Sequence, residues 1–567
     1  VNHIVKILSS PFSKNFVFIK NDFLVPLPDK ISLCERDELE KWGENSKQGE
    51  KFALISNEKS PNAQIYAPEI NFYLKNSQDE CLDKAKNTLL LYEVRASLYN
   101  LGLDLEYDKQ VGANVIIASA QDKGALCEFL GQNGFKALQV SEVLGVYGSV
   151  GELGVITQDK GAELEIACDF FFYDEFKANF DKQSGCYDLR KFSDEWALLE
   201  FLQEKSPIYR YKNYINYDSS ICQYDKRREE CCGKCAELCP SVAILKDDEK
   251  RQLVFSQVDC VGCGDCVSVC PSGSLEFTPL PSASFWALLD FYKGKKILLV
   301  DEKFSLENLE ISLDKNVLPL VLNTAQLNET TLLALLQTSG ANITLCATRL
   351  SKGNEDAIAL LNDIFEKKFS KKAIFVANEA KNLQTALEKC EFIDDLRFDL
   401  PKIPMLKREH FAKRLAHIVG DDDLGVVESG EWVRYGQIKV DESRCTLCLA
   451  CVGACNVGAL VADSKDNSLK FNASLCTTCA YCVKSCAEPD TIALERSGIK
   501  LNAAYFGFRT LASDELFACV ECGKEFATKK AVERVASLMK GKFTGDEKRL
   551  KTLYCCAECK AKLMIFG

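Results

Sequence analysis

Of the 29 cysteines in this 567-residue chain, eight stand at Cys445, Cys448, Cys451, Cys455, Cys476, Cys479, Cys482 and Cys486. They form two successive C-x2-C-x2-C-x3-C runs. Three cysteines at these intervals let a short loop wrap three corners of an iron-sulfide cubane, and the fourth reaches across to the neighbouring cubane. The spacing predicts one [4Fe-4S] cluster on Cys445, Cys448, Cys451 and Cys486, and a second on Cys455, Cys476, Cys479 and Cys482. A cubane held by four thiolates changes oxidation state by one electron with little rearrangement, so the expected chemistry is single-electron transfer.

Seven of the eight recur 216 positions earlier, at Cys232, Cys235, Cys239, Cys260, Cys263, Cys266 and Cys270. The same crossing rule assigns Cys239, Cys260, Cys263 and Cys266 to one cluster, while Cys232, Cys235 and Cys270 supply three ligands to the other. The offset places Glu229 where Cys445 stands, so the first cysteine is missing. Cys222 and Cys231 are candidate replacements; Glu229 itself, water or an open site are the alternatives. Adjacent residues point in different directions, so Cys231 sits awkwardly beside Cys232, which favours Cys222 reaching in from a longer loop. The expectation is four [4Fe-4S] clusters in two pairs.

A third device lies near the end. Cys519 and Cys522 (FACVECGKEF) pair with Cys556 and Cys559 (YCCAECKAK), two C-x2-C knuckles separated by the helical stretch ATKKAVERVASLMK. Four thiolates from two knuckles are the usual tetrahedral ligand set of a structural zinc ion. One Zn2+ is the expectation, with a further iron-sulfur centre or no metal as alternatives. Gly523 and Phe526 suit the tight turn of the first knuckle, and Cys555 is a possible alternate ligand at a less apt interval.

Composition excludes several classes. With 47% hydrophobic and 27% charged residues the chain is an ordinary globular one of several domains, and it has no uninterrupted apolar run of the roughly 20 residues that a spanning helix needs. The stretch VNHIVKILSSPFSKNFVFIK lacks the apolar block of an export signal, so a reducing, cytoplasmic setting is expected, without membrane insertion. A net charge of −12 without a basic, aromatic-interleaved stripe argues against nucleic acid and is compatible with docking to basic redox proteins. Only three histidines occur, His3, His410 and His417, so metal chemistry must rest on thiolates. His410 and His417 read as packing or surface residues.

The elements that must position these cysteines give an α+β multidomain fold. Residues 1–215 read as an N-terminal α/β region without evident chemistry: strands near Phe16 to Ile19 and Lys51 to Ile55, a helix over TLLLYEVRASLYNLGLDL, a buried strand at Val115 to Ser119 and a helix over ALCEFLGQNGF. The glycines of LGVYGSVGELGVI lack the spacing and following helix of a dinucleotide fingerprint and read as tight turns. Cys34, Cys81, Cys127, Cys168 and Cys186 have no partner at ligand spacing. Residues 216–280 form the first cluster module. Residues 283–400 alternate apolar strands (Lys296 to Asp301, Val317 to Leu322, Ile343 to Ala347, Ala373 to Asn378) with helices, which predicts a small parallel sheet. Residues 401–435 link, residues 436–496 form the second module, and residues 510–567 are a zinc-ribbon-like domain.

Pro240 and Pro271 follow the last cysteines of their runs, as in bacterial two-cluster ferredoxins, which both modules resemble; Asn456 and Ala487 replace these prolines in the second. The α/β segment resembles the delta-subunit domain found with some hydrogenases and heterodisulfide reductases, although it holds only Cys346 and Cys390, which implies docking without a cluster of its own. The whole layout, including the irregular CQYDKRREECCGKC, resembles the large iron-sulfur polyferredoxins associated with bacterial formate dehydrogenases. That resemblance implies protein redox partners, among them a molybdenum- or tungsten-dependent formate dehydrogenase. The alternative is a maturation or scaffold factor for such an enzyme, motivated by Glu229 and the zinc-like tail. No flavin, nicotinamide or catalytic residue is evident.

Overall fold

The computed structural model describes residues 4–6, 17–19, 55–57, 65–101, 105–159, 162–175, 180–401 and 403–565. The expected strand at Phe16 to Ile19 is present over Val17–Ile19, paired with Ile4–Lys6; Cys34, His3 and most of Lys51 to Ile55 lie outside the described residues. No helix among the described residues is long and apolar enough to cross a membrane.

The molecule is a mixed α/β multidomain protein whose largest apolar core is built around a four-stranded parallel sheet. Its strands run in the order Val317–Leu322, Lys296–Asp301, Ile343–Cys346, Ile374–Ala377. The two inner strands and Val317–Leu322 are near-continuous apolar runs buried on both faces, as a helix-covered parallel sheet requires. The covering helices begin where side chains satisfy their free N–H groups: Asn328 and Thr331 form a capping box on Glu329–Ser339, and Ser351 and Asn354 another on Lys352–Phe369. Each cap stabilises its helix by about 1 kcal/mol.

Two helices from much earlier in the chain, Pro68–Asn76 and Cys81–Leu101, join this core. Asn76 Nδ2 donates to the Leu309 carbonyl (3.2 Å) and Asn76 Oδ1 accepts from the Ile311 N–H (3.0 Å), while Ser77 bridges to Leu313. Arg95 and Glu69 form a largely buried ion pair between the helices (Nη2 to Oε2, 2.9 Å).

Residues 105–212 build a separate core. A parallel sheet, ordered Cys186–Asp188, Phe170–Tyr173, Asn114–Ala118, Lys136–Val140, packs beneath the helices Gly124–Gln132 and Glu195–Lys205. The glycine-rich stretch is an antiparallel hairpin, Val143–Tyr147 with Leu153–Asp159, and strand follows it where a dinucleotide site would need a helix. Gly148 is required at its turn: φ is +89°, and a Cβ would lie 2.2 Å from the Glu152 carbonyl oxygen. That turn positions Ser149, whose hydroxyl meets Asp259 at 2.5 Å; Asp259 also accepts the Ser184 N–H at 2.7 Å and directly precedes Cys260.

The order of the central sheet reverses between Lys296–Asp301 and Ile343–Cys346, and ligands of open α/β sheets bind in the crevice at such a point. Here residues 262–269 fill it. Arg349 pairs bidentately with the buried Asp265 (2.9 Å to each oxygen), Asn323 Nδ2 donates to the Gly262 carbonyl (3.3 Å), and Ser268 meets Ser351 (3.1 Å).

The helix Lys407–Val419 carries both remaining histidines into packing positions. His410 stacks on Trp286 (4.2 Å between ring centroids) and accepts from Arg414 Nε (3.3 Å), and His417 stacks on Phe398 (4.1 Å). Burial, with the charges of Arg414 and Lys413, lowers the His410 imidazole from 6.5 to about 4. The unfolded chain binds this proton near 6.5 and the folded one only near 4, so the neutral ring's contribution is fully present above pH 6.5 and is lost as pH falls towards 4. Thermal unfolding across that window should show His410→Gln losing less stability on acidification than the wild type; equal losses would contradict the assignment.

Candidate iron-sulfur and metal centres

Each module is closed by pairing of its two ends. In the first, Ile215–Tyr217 pairs antiparallel with Leu275–Phe277; in the second, Gln437–Val440 pairs with Ile492–Glu495. Between the ends lie a hairpin (Ile244–Asp247 with Gln252–Phe255; Leu460–Asp463 with Ser468–Phe471) and two one-turn helices, Lys234–Leu238 and Asp265–Val269, or Ala450–Ala454 and Tyr481–Lys484. This internal two-fold repeat brings the last cysteine of each run back to the other run.

The thiols gather in four sets. Cys451 has Cys445, Cys448 and Cys486 as its electrostatic neighbours, and Cys482 has Cys476, Cys479 and Cys455. In the first module Cys260 and Cys266 lie with Cys263 and Cys239. Cys235 lies with Cys232, Cys270 and Cys222, with Cys266 of the neighbouring set also close. The two rivals of Cys222 point elsewhere: Cys231 has Cys479 of the second module as its thiol neighbour, and Glu229 pairs with Lys484 (3.1 Å). Cys222 is buried, follows the short 3-10 turn Ser219–Ile221, and accepts the Tyr224 N–H (3.4 Å).

The donor sets suit iron-sulfur ligation. Backbone N–H groups point at sulfur in the binding loops: Thr478 at Cys476 (3.3 Å), Gly262 at Cys260, Asp265 at Cys263 and Leu447 at Cys445. Such bonds favour anionic sulfur and tune cluster potentials. The loops bend through left-handed backbone, at Gly262 and Gly264 in the first module and at the equivalent Thr478 and Ala480 in the second. Glycine is needed at 264, where a Cβ would lie 3.0 Å from the Gln326 side chain. Burial pushes the Cys232 and Cys260 thiols up to about 11 and the Cys451 and Cys476 thiols up to about 12. Without iron they stay protonated at neutral pH, so loading expels protons.

The modules meet through the irregular segment. Arg227 Nη1 donates to the Ala454 carbonyl (2.8 Å) and its guanidinium lies over the Tyr481 ring (4.5 Å). Gln223 Nε2 donates to Asn456 Oδ1 (2.8 Å), and Asn456 Nδ2 donates to the Ser220 and Cys222 carbonyls (3.1 and 3.2 Å). A cleft of about 210 Å³ between them is lined by Cys231, Cys232, Lys234, Arg434 and Cys479.

At the C-terminal site, Cys519, Cys522, Cys556 and Cys559 have their sulfurs within 4.8 Å of one another, and Cys522 and Cys556 lie 3.7 Å apart. A tetrahedral ion with metal–sulfur bonds of roughly 2.3 Å has its sulfurs ~3.8 Å apart. A cubane, with one thiolate on each of four irons, needs a wider spread. Burial acts upward on the Cys519 thiol but is outweighed by the N–H groups of Cys556, Cys522 and Glu521, which bring it down to about 6. Gly523, with φ at +73°, closes the knuckle by donating to the Cys519 carbonyl (2.8 Å). Cys555 donates to the Lys551 carbonyl (3.3 Å) and also lies beside the Cys519 thiol. Cys346 and Cys390 are buried in the central domain, Cys390 beside the Thr344 hydroxyl (3.0 Å).

Two family models, each described as a 4Fe-4S dicluster domain, match residues 230–274 and residues 437–487. The chain therefore carries two ferredoxin-type iron-sulfur domains. The first match begins after Cys222, so the segment that delivers this thiol lies outside the shared pattern. Among curated proteins none matches the chain.

Two outcomes are expected. Cys222→Ser should lower the iron bound per chain by one cluster's worth while Cys231→Ser leaves it unchanged, read by iron and sulfide assay; the reverse would return Cys231 to the ligand set. One buried cluster of residues 516–565 consists of Cys519, Cys555 and Cys556 with Phe526, Cys559 and Leu563 against it, so a metal held by these thiolates would sit within that core. A chelator that strips this site should expose the tail to protease without bleaching the visible iron-sulfur absorption.

Proposed function

We propose that the protein is a single-file iron-sulfur conductor that carries electrons one at a time between protein partners. Four [4Fe-4S] clusters are assigned to Cys239, Cys260, Cys263 and Cys266; to Cys222, Cys232, Cys235 and Cys270; to Cys455, Cys476, Cys479 and Cys482; and to Cys445, Cys448, Cys451 and Cys486. One Zn2+ is assigned to Cys519, Cys522, Cys556 and Cys559. The clusters supply one-electron redox chemistry with little structural change.

The observation that carries this reading is the unbroken adjacency of the sets. Cys266 neighbours Cys270, Cys232 and Cys479 line one cleft, and Cys482 neighbours Cys451. The ends of the file reach the surface: Cys448 is exposed at one, and Val261, beside Cys260, is 63% exposed at the other. The zinc-ribbon-like tail braces the Cys448 end, where Thr528 Oγ1 donates to the Thr446 carbonyl (2.9 Å) and Arg534 pairs with Glu488 (3.0 Å). The α/β domain braces the other through Arg349 and Asp265.

Likeness to the polyferredoxins of formate dehydrogenases makes such an enzyme the proposed partner, in a cytoplasmic setting. The scaffold alternative keeps the C-terminal site as its motivation, since Lys484 engages Glu229.

Anaerobic purification with metal counts, followed by a redox titration read by EPR, tests the proposal. About sixteen irons and one zinc per chain, retained through repeated reduction, are expected. Transfer of a cluster to an apo-acceptor would instead establish the scaffold role, and few or no irons would end both readings. Arg227→Ala should leave the iron count intact but slow electron transfer between the modules in flash-reduction experiments.

A further inference from the structure

The helix Lys407–Val419 begins against the local rule. The positive end of a helix dipole favours acidic residues, yet this helix opens Lys407-Arg408 ahead of Glu409, and its N-cap, Leu406, offers no side-chain cap. Both side chains are buried, the Lys407 side chain 8% exposed and Arg408 2% exposed.

Their surroundings are specific. Lys407 Nζ donates to the Cys270 carbonyl (3.0 Å) and pairs with the fully buried Glu329 (3.0 Å). Arg408 donates to the carbonyls of Pro271 (3.3 Å) and Arg434 (2.7 Å) and lies 3.7 Å from the Tyr435 ring centroid. Its Nη1 has no hydrogen-bond partner among the described residues. Lys407 acts on the Cys270 thiol and Arg408 on the Cys476 thiol, one in each inner set, whereas the cations beside the outer sets are Arg349, near Cys263 but paired with Asp265, and Lys530, near Cys445. A third buried cation, Lys234, adjoins Cys232 and donates to the carbonyls of Glu431 (2.8 Å) and Trp432 (2.6 Å).

Glu329 answers one of these three charges, and Asp356, occupied with the N–H groups of Trp432 and Val433, lies near Lys234. Buried cations without matching anions are costly, so this pocket has room for negative charge. A [4Fe-4S] group on four thiolates is net negative and becomes more so on reduction.

We infer that Lys407 and Arg408 are an electrostatic bridge between the two inner cysteine sets and hold both at higher reduction potential than the outer two. An electron arriving from either end then comes to rest in the middle of the file, and the protein stores charge as well as conducting it. They are positioning residues, acting through space on groups they do not ligate. This inference rests on the four-cluster reading proposed above.

The test is an EPR-monitored redox titration of the full chain, with spin integration and iron counts. In the wild type, two of the four centres should titrate above the others. Arg408→Gln should make reduction of one upper centre about tenfold less favourable, a shift of ~59 mV for one electron. Lys407→Gln should do the same to the other, while Arg408→Lys keeps most of the effect. Lys381→Gln, a surface cation paired with Glu379, should move none.

Midpoints unmoved by both substitutions, or all four moving together, would overturn the inference. Should Arg408→Gln lose iron, Lys407→Gln decides, because a shift confined to one upper centre supports the bridge and no shift ends it. A wild type without four centres sinks the proposed function and this inference together, whereas four centres indifferent to both substitutions sink this inference alone.

Discussion

A cubane closes only when four thiolates arrive at once, and one of the four must return from the far side of the module. That return is the constraint on which the architecture depends. Three ligands cost little, because they share one short loop; the fourth requires closing a loop of tens of residues, whose entropic cost grows with the logarithm of its length. Both modules meet it in the same way, by pairing their first and last strands, Ile215–Tyr217 with Leu275–Phe277 and Gln437–Val440 with Ile492–Glu495. The pairing is short, and burial raises thiols such as Cys232, Cys260, Cys451 and Cys476, so iron must displace their protons. Folding and loading are therefore coupled.

Short strands and metal loops cannot bury enough apolar surface to stand alone. The parallel sheet supplies what they lack, and it does so at the point where such sheets ordinarily bind a small ligand. Asp265, Ser268 and Gly264 of the first module lie against Arg349, Ser351 and Gln326, so the switch point serves as a socket. The N-terminal sheet grips the same module from another direction through Ser149 and Asp259. Two separately cored units thus hold the cysteine loops that face them.

The one break in the repeat is also the joint. In the proposed assignment Cys222 supplies a ligand from upstream, and the chain between it and Cys232 reaches the second module, where Gln223, Arg227 and Glu229 all bond. The helix Lys407–Val419 completes the joint from the opposite side, with its first two residues touching Pro271, Cys270 and the carbonyl of Arg434.

Much of this was legible in the sequence because ligand spacing is local: the cysteine runs mark their loops and the 216-residue offset marks the duplication. Apolar strands such as Lys296–Asp301 and Val317–Leu322 were equally plain, since burial on both faces leaves little room for polar residues. Adjacency to Cys232 made Cys231 the less apt candidate and favoured Cys222, but spacing along the chain left Cys231 and Glu229 open. Nor could it show that helices Pro68–Asn76 and Cys81–Leu101 belong with a sheet beginning near residue 296, or that Lys407 and Arg408 are buried, since basic residues ordinarily mark a solvated helix face. By itself, then, the sequence determined the kind of chemistry and the local loops, which neighbouring residues set. Only the tertiary structure decided the order of the thiolate sets, the socket and the buried cations, because these depend on long-range packing that brings distant segments into one low-dielectric space.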